Sequence, residues 1–97
     1  MTIVNSKSDI KEALKRGETE FYTSNKTLLY ASVLVAKCKS FSVLKSFIPG
    51  MNFVISEGTI IVITLAVLAT AIALFAIYSG YDVDVDYKRG KIKCRRK

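Results

Sequence analysis

The sequence predicts a small α+β membrane protein, and three observations carry that prediction. Residues 58–81, GTIIVITLAVLATAIALFAIYSGY, hold no charged residue between Glu57 and Asp82. Residues 82–97 alternate acidic and then basic side chains with apolar ones, the period of a strand. Residues 2–23 read as strand, helix, strand. The expected order is an N-terminal β-α-β-like module over 1–26, an apolar or amphipathic helix over 27–48, and a connector over 49–57. A long transmembrane helix over 58–81 and a charged β-hairpin or basic tail over 82–97 complete the chain.

Length and charge set the frame. With 97 residues the chain holds one domain at most, and neither piece outside the apolar stretch has the length for a large core of its own. Net charge is +7, and it is uneven. Residues 1–57 carry eight basic and five acidic side chains, whereas 82–97 carry seven basic and three acidic. Beside a membrane span, such a tail is expected to face anionic lipid or set topology rather than bind nucleic acid. The first 25 residues lack the apolar core of a signal peptide. Cys38 and Cys94 lie on opposite sides of the apolar stretch and are expected as free thiols, which suits a reducing compartment.

In the N-terminal module, Thr2 to Asn5 is short and β-prone. Asp9 and Glu12 stand at capping-box spacing, and Ile10, Ala13 and Leu14 share a helical face. Gly17 is a helix stop behind Lys15 and Arg16, so the helix spans 9–16. Thr19 to Thr23 forms the second strand. Parallel pairing with 2–5 would make a miniature crossover unit, with Ile3, Ile10, Leu14 and Phe21, and Val4 as a further candidate, for its small core.

Residues 27–48 are apolar but carry Lys37, Lys39 and Lys45. Three arrangements fit them: an interfacial helix with snorkelling lysines, a helix docked on the N-terminal module, or the first arm of a membrane hairpin. Buried lysines cost about 2.5–3.5 kcal/mol each at the centre of a span, which favours the first two. Pro49-Gly50 is expected to end this helix, and Ser56 to cap the next.

As a helix, residues 58–81 would be about 36 Å long, enough for a bilayer core of about 30 Å. Ala66, Ala69, Ala73, Ala76 and Gly80, continued by Thr59, form a small-residue stripe of the kind that lets helices approach closely in lipid. Its partner is expected to be a second copy, giving a homo-oligomer, or residues 27–48 of the same chain. Phe53 at one boundary and Tyr78 and Tyr81 at the other fit aromatic belts, with Lys88 and Arg89 at the headgroups.

In the hairpin, a turn at Arg89-Gly90 pairs Asp86 with Lys93, Asp84 with Arg95 and Asp82 with Lys97. The positive charges place the C-terminus on the cytoplasmic side. Should the hairpin join the N-terminal strands in one sheet, both ends lie on one side of the membrane, and 27–48 must cross as well.

The absence of His, of a Gly-rich phosphate loop and of CxxC argues against catalysis, and no cofactor or metal site is expected. Asp82, Asp84 and Asp86 suit a strand face better than a metal cluster. The expected function is therefore a non-enzymatic integral membrane protein, assembling through its small-residue face as a structural subunit or a pore-forming, membrane-disrupting effector. One alternative is a membrane-anchored adaptor holding a protein partner at the polar module. Another is a soluble oligomer that buries the apolar helix.

Overall fold

The computed structural model describes residues 2–38, 46, 48, 50–54 and 58–97. Among these residues the elements run α1 (Lys7–Lys15), β1 (Glu20–Tyr22), α2 (Lys26–Lys37), β2 (Asn52–Val54), β3 (Ile60–Val62), α3 (Leu65–Ile77), β4 (Tyr81–Asp86) and β5 (Lys91–Arg96). The radius of gyration is 12.3 Å, against about 12.5 Å for one folded body of this length.

Local chemistry sets each helix end. Ser6 caps α1 by accepting from Asp9 N–H, while the Asp9 carboxylate reaches back to Asn5 N–H at 2.8 Å. Gly17, at φ +83°, closes the helix in a Schellman turn, with Gly17 and Glu18 N–H donating to Leu14 and Ala13 carbonyls. Asn25 caps α2 by accepting from Leu28 N–H, and its side-chain amide also donates to Asn5 carbonyl at 3.0 Å. Thr64 caps α3 by accepting from Val67 N–H.

The main sheet has the order β1-β5-β4, antiparallel throughout. Ile3 bridges Tyr22 in parallel at its outer edge, so the two N-terminal extended segments flank α1 as a crossover. The last strand of the chain thus lies between β1 and β4. Register pairs Asp86 with Lys91, Asp84 with Lys93 and Asp82 with Arg95. This is two residues away from the pairing a two-residue turn would set, because the loop is the four residues Tyr87–Gly90. A shift of two keeps every side chain on its own face, so Val85, Ile92 and Cys94 still point inward.

The helices cover that inner face. Val4, Phe21, Ile92 and Cys94 meet Ile10, Leu28, Leu34 and Leu74 in one core. α2 lies at its centre, buried along Leu28, Leu29, Ala31, Ser32, Val33, Leu34 and Val35, and packs against α3 and β4. The β2–β3 hairpin sits on the far side of α2, where Ile61 packs with Val33, Tyr30 and Phe53.

This architecture corrects the membrane reading. Among the described residues no helix is long and apolar enough to cross a membrane. The uncharged stretch breaks into β3, a cap, α3, a turn at Gly80 and the first residue of β4. Helix α3 has 13 residues, about 20 Å, which falls short of a bilayer core of about 30 Å. The physical cause is the β-branched run Thr59-Ile60-Ile61-Val62-Ile63-Thr64, which pairs as a strand and then caps a helix. The long transmembrane helix falls, and with it go the integral membrane protein, the bilayer as partner, the pore-forming or membrane-disrupting effector and the cytoplasmic C-terminus of a spanning chain. Helix α2 likewise ends at Lys37, with Cys38 extended, instead of running to residue 48. The expected Ser56 cap, the Pro49 stop, and Lys39 and Lys45 lie outside the described residues.

Candidate functional site

The side chains singled out in the sequence fall in three places. The first is the outward side of α3. Val67, Ala71, Leu74 and Tyr78 form its buried side. The small-residue stripe lies elsewhere on the helix: Ala66, Ala69 and Ala76 are exposed, Ala73 is half-buried, and Gly80 is exposed in the following turn. Thr59 is half-buried just before β3. No charged residue occurs anywhere on α3, and Leu65 at its start is 72% exposed. Three residues earlier, at most about 11 Å along the chain, Val62 ends the outer face of the β2–β3 hairpin. Val54, Ile60 and Val62 on that face are each more than half exposed. A hairpin with one face on the core normally turns polar side chains outward; here Asn52, opposite Val62, is the polar one beside three apolar side chains on that face.

The second place is the charged face of the main sheet. Asp82, Asp84 and Asp86 line the outer side of β4, and Lys93 and Arg95 stand beside them on β5. Glu20 accepts both Lys91, at 3.3 Å, and Lys93, at 3.7 Å. Lys97 continues beyond β5, with its N–H donating to Gly80 carbonyl. Lys88 and Arg89 are exposed in the β4–β5 loop, where Arg89 pairs with Asp86 at 3.7 Å. Acids and bases alternate here, so the face is close to neutral and behaves as a solvated surface. Among the described residues no group of three or more His, Cys, Asp or Glu is placed to hold a metal ion.

The third place is interior. Tyr78, expected at a lipid boundary, is 3% exposed and hydrogen-bonds Ser32 at 2.9 Å. Burial raises its phenol pKa far above the ordinary value. Tyr81 is half-buried at the start of β4, and Phe53 half-buried under the hairpin. Cys94 and Cys38 are free and buried; desolvation pushes the Cys94 thiol up to about 12 and the Cys38 thiol in the same direction. Such thiols are held protonated and are poor nucleophiles.

Two features went unread in the sequence. Tyr30 and Tyr87, 57 residues apart, stack with centroids 5.6 Å apart and share a hydroxyl–hydroxyl hydrogen bond of 3.1 Å, with Lys26 over the Tyr87 ring. A cleft of about 630 Å³ opens between α1, the C-terminal end of α3 and the end of β5. Leu14, Ala76, Ile77 and Tyr81 floor it, and Lys11, Lys15 and Arg96 stand around it. The lysines at 7, 11 and 15 recur every fourth residue, a helical spacing that marks a basic face once α1 is placed. No family model, curated protein or solved structure matches the chain.

Proposed function

We propose that the chain is a non-catalytic assembly domain. It associates with further copies of itself in aqueous solution by burying the outer side of the first half of α3, from Leu65 to Ala69, together with the outer face of the β2–β3 hairpin. The observation that carries this reading is that α3 holds no charged residue, and that its one polar side chain, Thr70, turns its hydroxyl back onto Ala66 carbonyl at 2.8 Å. A helix so apolar on every side belongs in an interior, yet Leu65, Ala66 and Ala69 at its start face outward. Exposed apolar surface of this kind marks an interface.

The absence of charge from Val54, Ile60, Val62, Leu65, Ala66 and Ala69 favours a second copy as the occupant. Permanent homodimer interfaces resemble a divided core, whereas transient contacts with other proteins are more polar. The Ala66 and Ala69 side chains let backbones approach closely, and Leu65, Ile60 and Val62 supply the area.

Sedimentation equilibrium in detergent-free buffer tests the reading. Wild type should sediment at a multiple of the 10.8 kDa chain. Leu65→Glu and Ala69→Glu, both at exposed positions, should sediment as monomers with an unchanged far-UV spectrum. A monomeric wild type at about 100 μM, where even interfaces of about 5.5 kcal/mol are half-occupied, would overturn the proposal.

A further inference from the structure

We infer that the cleft between α1, α3 and β5 is a second, separate docking site, for an acidic amphipathic segment of a partner protein. Its chemistry is divided by position. The floor is apolar, made by Leu14 of α1, Ala76 and Ile77 of α3, and Tyr81 of β4. The small Ala76 side chain leaves the depression open. The rim is cationic: Lys11 and Lys15 lie one helical turn apart, about 6 Å, and Arg96 stands on β5.

No carboxylate lines the cleft, and none of the three cations forms an ion pair among the described residues. Of the neighbouring acids, Glu12 is exposed on α1 one turn before Lys15 and lines no part of the cleft, while Asp9 and Glu18 are already engaged. Asp9 accepts from Asn5 N–H, and Glu18 accepts from Arg16 and from Thr2. Lys7, Lys11 and Lys15 are also four residues apart, an arrangement that costs helix stability through like-charge repulsion. A ligand bearing carboxylates beside an apolar anchor relieves that repulsion and covers the floor. The Arg96 guanidinium adds a planar fork suited to one carboxylate. A nucleic-acid backbone would use the rim and leave the floor bare.

The site is distinct from the proposed self-association surface. Leu65 and Ile77 stand about 18 Å apart along α3, and the loop carrying Lys88 and Arg89 lies about 17 Å from the cleft, at the far end of β4.

Fluorescence anisotropy tests the assignment with a fluorescein-labelled helical 14-mer carrying Leu on one face and Glu beside it. The peptide should bind wild type. Lys11→Glu with Lys15→Glu should weaken it about tenfold or more, as charge reversal at a rim does. Lys88→Glu with Arg89→Glu, the same charge change at the far loop, should leave it unaltered. Leu65→Glu should bind as wild type does, so failure of the self-association reading and failure of this one are read separately. Equal weakening by both double variants would reduce the effect to net charge and overturn the site. So would equal affinity for a peptide with Ser in place of Leu, or no binding of the Leu/Glu peptide at all. Binding of phosphatidylserine vesicles that depends on Lys11 and Lys15, without peptide binding, would overturn it in favour of lipid.

Discussion

Tyr78 and Ser32 form a polar contact buried between α2 and α3, and both side chains are almost fully enclosed. A buried hydroxyl deprived of its partner keeps its desolvation cost. Tyr78→Phe should therefore destabilise by about 1–2 kcal/mol in urea unfolding, and Ser32→Ala similarly. The double variant should recover part of the loss, with a coupling of about 1 kcal/mol. Purely additive losses would mean the two hydroxyls do not depend on each other. Cys94 carries a pH prediction with a definite sign. Folding holds its thiol neutral up to about 12, against an ordinary value of 9.0, so the folded state keeps a proton that the unfolded state gives up. Its stabilising contribution is whole below pH 9 and is lost as pH rises from 9 towards 12. Tyr78, also raised, adds to the loss above its ordinary value of 10.0. In a Cys38→Ser background, alkylation of Cys94 by iodoacetamide should stay slow through pH 9 and rise only as the protein unfolds. Fast alkylation of Cys94 near pH 9 in the folded protein of that background would contradict the burial.

At the scale of the element, Gly90 decides how β4 and β5 connect. Its φ is +65°, and a Cβ there would stand 2.5 Å from Thr23 carbonyl. Its own carbonyl accepts from Thr23 N–H at 2.9 Å, so the loop is pressed against the end of β1. Gly17 has a similar φ of +83° but open space around it. Gly17→Ala should cost about 1 kcal/mol, the backbone term alone, whereas Gly90→Ala should cost about 3 kcal/mol or more by thermal unfolding, since backbone must move as well. Equal losses would refute the close approach. The same loop explains why the strand faces were legible and the register was not. Alternating Asp82, Asp84 and Asp86 declare a face, but loop length depends on contacts with Thr23 that the local sequence does not contain. Helix α3 was misread for a related reason. Lack of charge suggests a lipid span, while the β-branched run from Thr59 to Thr64 suggests a strand, and the run prevails because β2 is there to pair with it. The stripe of Ala66, Ala69, Ala73 and Ala76 was visible as spacing. Which side of the helix meets α2 was not, because Val67, Ala71, Leu74 and Tyr78 repeat at the same steps and no charged side chain breaks the symmetry.

At the scale of the molecule, the C-terminal residues are structural centre rather than tail. Strand β5 hydrogen-bonds β1 on one side and β4 on the other, and Ile92 and Cys94 are among the most enclosed side chains. Removing it leaves Phe21 and Val85 without their neighbours and exposes backbone N–H and C=O groups on two strands at once. Such a loss matches or exceeds the about 5–15 kcal/mol that holds a domain of this kind together. A chain ending at Tyr87 should therefore show no cooperative thermal transition and no protected amides in helices as distant as α1, since α1 packs on α3 and the sheet through one continuous core. A separable basic tail predicts the opposite, namely a truncated chain that melts cooperatively near the wild-type temperature. Because β1 lies near the start of the chain and its neighbour β5 is the last strand, the pairing of Phe21 with Ile92 spans 71 residues. Closing so long a loop precedes its stabilising contacts, which slows folding relative to helical domains of this size. Stopped-flow refolding of Ile92→Val should show whether that closure occurs in the transition state: a refolding rate that falls with stability places it there, and a change confined to the unfolding rate places it after the barrier.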